Sequence, residues 1–281
     1  MSWKFVLLPL GCQPSFLHPQ GFRPLIKPSV QYYSRLAPFR GLFATGRPIL
    51  TYHHVGPRAR GARLKGLYVS PKLFAAQMRE LADAGFSTRS LSDFSMEFTS
   101  ATAPRPRVCV WLTFDDGFQD VFDHALPVLS RHGFRAVLFL VSDLLGKTNE
   151  WQQKAGDITE PLMDEAQVCD WLAAGQEIGS HTRTHPHLTQ LPLAEARGEL
   201  TASKKALEDK FGLAIEHFCY PYGDWNAQVR DLVREAGYKT ACTTEYGVNS
   251  VATPRLELKR ITARYPSRNL KAIWKRLVGR G

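Results

Sequence analysis

Leu112-Thr113-Phe114-Asp115-Asp116-Gly117 decides how this chain reads. It closes the apolar run Val108-Cys109-Val110-Trp111-Leu112, whose unbroken hydrophobicity fits a strand buried on both faces. Such a strand, ending in two carboxylates and a glycine, places acid groups at the C-terminal edge of a sheet, where α/β folds carry their chemistry. Alone, Asp-Asp-Gly is a common turn. Its chemical context comes from a second stretch, Glu177-Ile178-Gly179-Ser180-His181-Thr182-Arg183-Thr184-His185-Pro186-His187. Two histidines and one carboxylate make three metal ligands with a further position open, the arrangement of catalytic zinc, and leave the other carboxylate free to act as a base. A strand precedes His181 and Pro186 follows His185, so a loop curled round a cation is expected rather than a helix. No Glu follows His181, and the zinc-protease helix pattern is absent.

Upstream, residues 48–55 read as a strand ending in His53 and His54. Ser70 and Pro71 open a helix to Gly85, with Leu73, Phe74, Met78 and Leu81 on one side. Residues 86–98 read as a short strand and turn. Downstream of Gly117, Val121, Phe122, Ala125, Val128 and Leu129 recur at helical spacing as far as Gly133. Residues 136–141 form an apolar strand, 164–174 a helix and 177–180 a short strand. Leu193–Phe211 is a helix stopped by Gly212. A strand (215–220), a helix (226–236), two more strands (238–243 and 256–262) and a basic helix opened by Ser267 complete the chain. Strands and helices alternate about seven times, which predicts an α/β fold with a parallel sheet closed as an irregular barrel.

The chain of 281 residues fits one large domain with an extension, and the expected division is a basic extension at 1–46 and a catalytic domain at 47–281. Tyr32, Tyr33, Leu36, Phe39, Leu42 and Phe43 suggest a short amphipathic helix lying on the domain or on a membrane. Residues 1–70 hold ten Lys/Arg and no Asp/Glu, and 255–281 hold nine Lys/Arg and one Glu, so the basic ends flank an acidic middle. Basic ends suit an anionic neighbour such as a membrane surface or an acidic glycan. No basic-aromatic recognition motif supports nucleic acid. Lys4 followed by Phe5-Val6-Leu7-Leu8-Pro9-Leu10 resembles a secretion signal broken by Pro9, and Leu10-Gly11-Cys12 hints at a lipoprotein cleavage site. The five cysteines are scattered, which argues against a disulfide framework or a thiolate zinc site.

Thr113-Phe114-Asp115-Asp116-Gly117 and Ser180-His181-Thr182-Arg183-Thr184-His185-Pro186 resemble the first two motifs of the polysaccharide deacetylases, the NodB homology domain of carbohydrate esterase family 4. Phe218-Cys219-Tyr220-Pro221-Tyr222-Gly223 resembles the third, and the resemblance covers residues 47–262. It implies an irregular (β/α)7 TIM-like barrel and metal-dependent removal of acetyl groups from an N-acetylglucosamine-containing glycan. Asp116, His181 and His185 would hold a divalent metal, with zinc the expected ion, and Asp115 would be the general base. A backbone N–H near Tyr222 would help to stabilise the oxyanion.

Two departures stand out. The family's late Leu-x-x-His acid is missing, since no histidine follows His217. In the permuted branch that acts on poly-N-acetylglucosamine an early Tyr-His supplies it, matched here by Tyr52-His53, with His54 as the fallback. The arginine usual in the third motif is Cys219, which cannot form a charge-assisted fork. Arg260 is the expected replacement, the alternative being a surface arginine in a basic tail. Tyr222 and Trp225 are expected to wall the acetyl group or sugar ring, and Asp120 to be a helix-end charge. The cell envelope is the expected location, the cytoplasm remaining open. Two other functions stay open: hydrolysis of a non-carbohydrate C–N bond, and glycan binding by a degraded site, which loss of the late histidine and the third-motif arginine would favour.

Overall fold

The computed structural model describes residues 32–93, 108–154 and 156–265. Its strands are β1 (Ile49–Tyr52), β2 (His54–Val55), β3 (Tyr68–Val69), β4 (Ser87–Thr88), β5 (Cys109–Phe114), β6 (Val137–Leu140), β7 (Glu177–Ser180), β8 (His217–Cys219), β9 (Thr240–Tyr246) and β10 (Leu258–Thr262). Each of β5 to β10 pairs in parallel with the next, and β1 joins β10 to β5, closing a seven-stranded barrel. Helices cover the outside, as parallel strands with two apolar faces require.

Because side chains alternate along a strand, the ring has an inside and an outside. Ile49, Trp111, Val137, Phe139, Cys219, Cys242 and Leu258 belong to one buried cluster, the filled interior. Leu50, Leu112, Phe114 and Leu138 belong to the larger cluster under the helices. The interior is full enough to dictate a glycine. A Cβ on Gly179 would come within 2.6 Å of the Phe139 ring in the neighbouring strand. Continued to the C-terminal mouth, the same two-residue period brings His53, Asp115, Arg260 and Thr262 to the edge of one cavity.

Several expected elements are met closely. The first long helix runs Pro71–Asp83 and is capped by Ser70, whose side chain accepts from the Leu73 amide. Leu193–Phe211 ends on Gly212 in the left-handed conformation, φ 66°. Others differ for identifiable reasons. The helix expected from Val121 to Gly133 is two, Gln119–His124 and Leu126–His132, because Pro127 has no amide to continue the first. The strand at 48–55 breaks at His53 into β1 and β2, leaving His53 in a bend at the barrel mouth.

The expected boundary at residue 46 is not a structural one. Tyr33, Leu36, Phe39 and Phe43 are at most 2% exposed and join the main core. The Tyr33 amide donates to the Thr262 carbonyl and the Arg264 amide to that of Tyr33, so this segment is stitched to the end of β10. The helical turn Ala37–Phe39 and helix Arg40–Thr45 therefore pack on the barrel. The leader-like run and the basic helix expected from Ser267 lie outside the described residues. No helix among the described residues is long and apolar enough to cross a membrane.

One buried histidine sits away from the mouth. His217 is 3% exposed, its Nδ1 2.8 Å from Thr240 Oγ1 and its Nε2 3.0 Å from Ser92 Oγ. Burial pushes its pKa down to about 4. The folded state keeps the ring neutral, whereas the unfolded chain takes up a proton near pH ~6.5. This group's stabilisation is therefore complete above that pH and is lost as pH falls toward 4, a loss of about 3 kcal/mol. Urea unfolding at neutral and at mildly acidic pH should show that decline, and His217→Gln should flatten it. An unchanged pH dependence in the variant would assign the decline to other groups.

Candidate active site

Asp115 and Asp116 leave β5 facing different partners because the backbone turns sharply at Asp116. Asp116 (φ 74°) and Gly117 (φ 81°) are both left-handed. A Cβ at Gly117 would stand 2.9 Å from Leu140 Cδ2, so both conformation and space call for glycine. The Asp115 amide donates to the Tyr52 carbonyl, and the Gly117 carbonyl accepts from the Met163 amide, which fixes the turn from both sides.

Asp116 Oδ1 lies 3.3 Å from His181 Nε2 and 3.3 Å from His185 Nε2. All three residues are at most 5% exposed. Asp116 Oδ1 nevertheless has no hydrogen-bond partner among the described residues. A buried, unbonded carboxylate oxygen is costly unless something else neutralises it. Ligand atoms about 2.0–2.1 Å from a shared tetrahedral ion stand roughly 3.3 Å apart, so this donor set fits a divalent cation. His181 Nδ1 donates to the Cys219 carbonyl over 2.7 Å, which fixes the ring with Nε2 facing Asp116. The loop between the histidines is held by Glu199 of the long helix, which accepts from the amides of Arg183 (2.8 Å) and Thr184 (3.0 Å). Thr182 Oγ1 accepts from the His185 amide at 3.0 Å, while Thr182 and His185 themselves adopt φ of 68° and 63°. The histidines are on a loop, as expected.

Asp115 has a different partner. Arg260 Nη1 donates to Oδ1 at 2.7 Å and Nη2 to Oδ2 at 2.8 Å, a two-pronged pair in which Arg260 is 2% exposed. Further donations to the Thr243 carbonyl (2.8 Å) and Thr113 Oγ1 (3.2 Å) fix the guanidinium. Burial pushes the Asp115 carboxyl up, but Arg260, and then His53, pull it further down, so it stays ionised. Arg260 thus stands beside Asp115 rather than on the surface. Cys219 makes room for it, with Sγ 3.1 Å from Nη2. Asp115, His181 and Cys219 are also close enough to share an ion. That set is the poorer one, because Asp115 is already engaged on both oxygens and burial raises the Cys219 thiol to about 11.

His53 lines the same cavity, with Nε2 3.8 Å from Asp115 Oδ2 and 19% of its side chain exposed. Burial lowers its pKa against the opposing pull of Asp115 and Asp116. His54 faces away: it is stacked between Tyr68 and Phe118, with Nδ1 3.0 Å from Asp120 Oδ2 and Nε2 3.3 Å from Glu160. Asp120 thereby anchors His54 and the Val55 amide, a firmer task than the helix-end charge expected of it.

The cavity has a volume of about 520 Å³. Tyr222 lines it at 47% exposure, in a left-handed turn (φ 59°), stacked on His187 and edge-on to His185. The expectation for Trp225 fails: it is not in the lining, but packs partly buried against the core beside Tyr220. Trp151 occupies the wall instead, stacked on His185 with ring centroids 4.4 Å apart. Sequence reasoning missed it. The available signal was a tryptophan in a polar stretch, Asn149-Glu150-Trp151-Gln152-Gln153, where no apolar stripe accounts for it.

Comparison with known proteins bears on the family and the fold. The polysaccharide deacetylase family model matches residues 102–241. The Bacillus subtilis protein YxkH is 30% identical over 203 residues, covering 72% of this chain and 66% of the relative. A Staphylococcus aureus poly-beta-1,6-N-acetyl-D-glucosamine N-deacetylase is 22% identical over 65% of this chain and 63% of its own length. The chain thus spans at most about two thirds of these relatives. The solved structure of Streptococcus pyogenes deacetylase PplD superposes with a TM-score of 0.68 at 24% identity, covering 82% of this chain and 97% of that one, which shows the shared barrel.

Proposed function

The chain belongs to the polysaccharide deacetylase family, and from that premise we propose that it hydrolyses N-acetyl groups of an N-acetylglucosamine-containing glycan, releasing acetate. The observation that carries this reading is the division of labour between adjacent carboxylates: Asp116 converges with two imidazoles while Asp115 is forked by Arg260 beside them. Asp116, His181 and His185 would hold a divalent cation, for which zinc suits the nitrogen-rich donor set. When bound, the cation supplies Lewis acidity to the acetamide carbonyl and lowers the pKa of water nearby.

The rest falls to the chain's own side chains. Asp115, kept ionised and oriented by Arg260, takes a proton from the attacking water. The water oxygen bonds to the carbonyl carbon, and the C–N bond then breaks. His53 gives a proton to the departing amine, and its lowered pKa makes it a ready donor once charged. Tyr222 and Trp151, both in the lining, would flank the acetyl methyl and sugar ring. Arg260 also supplies what the third motif lacks, which weakens the case for a degraded glycan-binding site. The test is acetate release from N-acetylglucosamine oligomers by zinc-loaded protein. His53→Ala is expected to lower turnover by roughly a hundredfold. Cation binding without acetate release from any acetylated sugar would defeat the proposal.

A further inference from the structure

The inward period that carries Arg260 into the barrel continues along the chain to Thr262 and Arg264, and all three line the catalytic cavity. At about 3.3 Å per residue, Arg264 stands about 13 Å further out than Arg260, toward the mouth. Its guanidinium carbon lies 4.1 Å from the centre of the Tyr32 ring. It also rests against Gly66, where a Cβ would come within 2.5 Å of that carbon. Arg264 Nε is buried and has no hydrogen-bond partner among the described residues, and no described carboxylate pairs with the side chain. Of the carboxylates in the lining, Asp115 is taken by Arg260 and Asp116 faces the two histidines. Arg264 is thus a positioned cation in the wall of the cavity, stacked on Tyr32 and without a carboxylate partner among the described residues.

The adjoining loop carries the same sign. It contributes Leu64 and Leu67 to the lining and exposes Arg58, Arg60 and Lys65, while Arg63 is engaged with the Gly156 carbonyl and Asp157. A neutral N-acetylated sugar offers a guanidinium only uncharged oxygens, of hydroxyl and acetamide, in exchange for its water. A carboxylate or phosphate offers a charge-assisted fork.

Resting on the deacetylase reading, we infer that the substrate is an anionic glycan, in which Arg264 binds an acid group on a sugar next to the one that loses its acetyl group. Arg264 is then a specificity-determining residue. The acid is a sugar carboxylate or a phosphodiester, and the assay separates the two. Acetate release is measured on three oligosaccharides: neutral N-acetylglucosamine oligomers, oligomers alternating glucuronate with N-acetylglucosamine, and N-acetylglucosamine oligomers bearing a phosphodiester. Wild-type protein is expected to favour one acidic substrate over the neutral one by about tenfold or more in kcat/KM, mainly through KM. That preference should shrink as salt rises.

Arg264→Gln should collapse the preference. Gly66→Ala, which keeps the charge but pushes the guanidinium aside, should do the same. Equal wild-type turnover of neutral and acidic substrates overturns this inference and leaves the deacetylase reading standing. So does a preference that survives both substitutions. Absence of acetate from all three substrates overturns both.

Discussion

Asp115→Asn is expected to lower acetate release by roughly a hundred- to ten-thousand-fold while leaving the divalent cation bound. The substitution removes the proposed base but none of the three convergent atoms of the candidate metal site, Asp116 Oδ1, His181 Nε2 and His185 Nε2. Its side effect on the fold also follows from the geometry. The amide keeps one acceptor for Arg260 but turns a second donor toward a guanidinium that is itself all donors. Some stability is therefore lost, and turnover has to be read where circular dichroism shows the variant folded. Metal analysis of the same sample completes the test. Loss of the cation together with activity would mean that Asp115 is a ligand, and near-normal turnover would move the base elsewhere.

Arg260→Gln should be the most disruptive single change at the site, because it leaves the Asp115 carboxylate buried without its counter-ion. Breaking one side of a buried pair costs about 3–5 kcal/mol. The urea midpoint should fall accordingly. Kinetics should register more than instability. Burial alone pushes the Asp115 carboxyl up, and Arg260 is the strongest opposing influence. Without it Asp115 takes up a proton at higher pH, so the acid limb of the pH–rate profile moves toward neutrality. A merely structural arginine would lower the midpoint and leave that limb in place. The double variant Asp115→Asn/Arg260→Gln should be less destabilised than the two single losses added together, since each removes the partner that the other strands.

The barrel was largely legible because its strands are continuous apolar runs and its helices end on glycine or begin on a capping side chain. Leu193–Phe211 and Glu177–Ser180 have the bounds expected of them. Asp115, Asp116, His181 and His185 were legible as a set because adjacent acids and two spaced histidines are rare company. Arg260 could be anticipated from its place near the end of the last strand, once Cys219 was seen to lack a charge. What pairwise chemistry cannot reveal is direction. Trp225 and Trp151 are both plausible wall residues on paper, and only the turn that buries Trp225 beside Tyr220 separates them. His53 and His54 are neighbours in sequence, yet the bend sends one to the cavity and the other between two rings. The left-handed backbone at Asp116 and His185 has only a weak sequence signal, because neither is glycine. The segment from Tyr33 to Phe43 showed its apolar stripe but not its partner, and so read as an extension rather than part of the core.

The position of the bound cation tests the account most directly. Crystals grown with zinc, measured at the zinc absorption edge, should give an anomalous peak about 2.0–2.2 Å from Asp116 Oδ1, His181 Nε2 and His185 Nε2. Asp115 should remain forked on Arg260 at that peak's side. A peak held instead by Asp115, His181 and Cys219, or one away from both histidines, would contradict it.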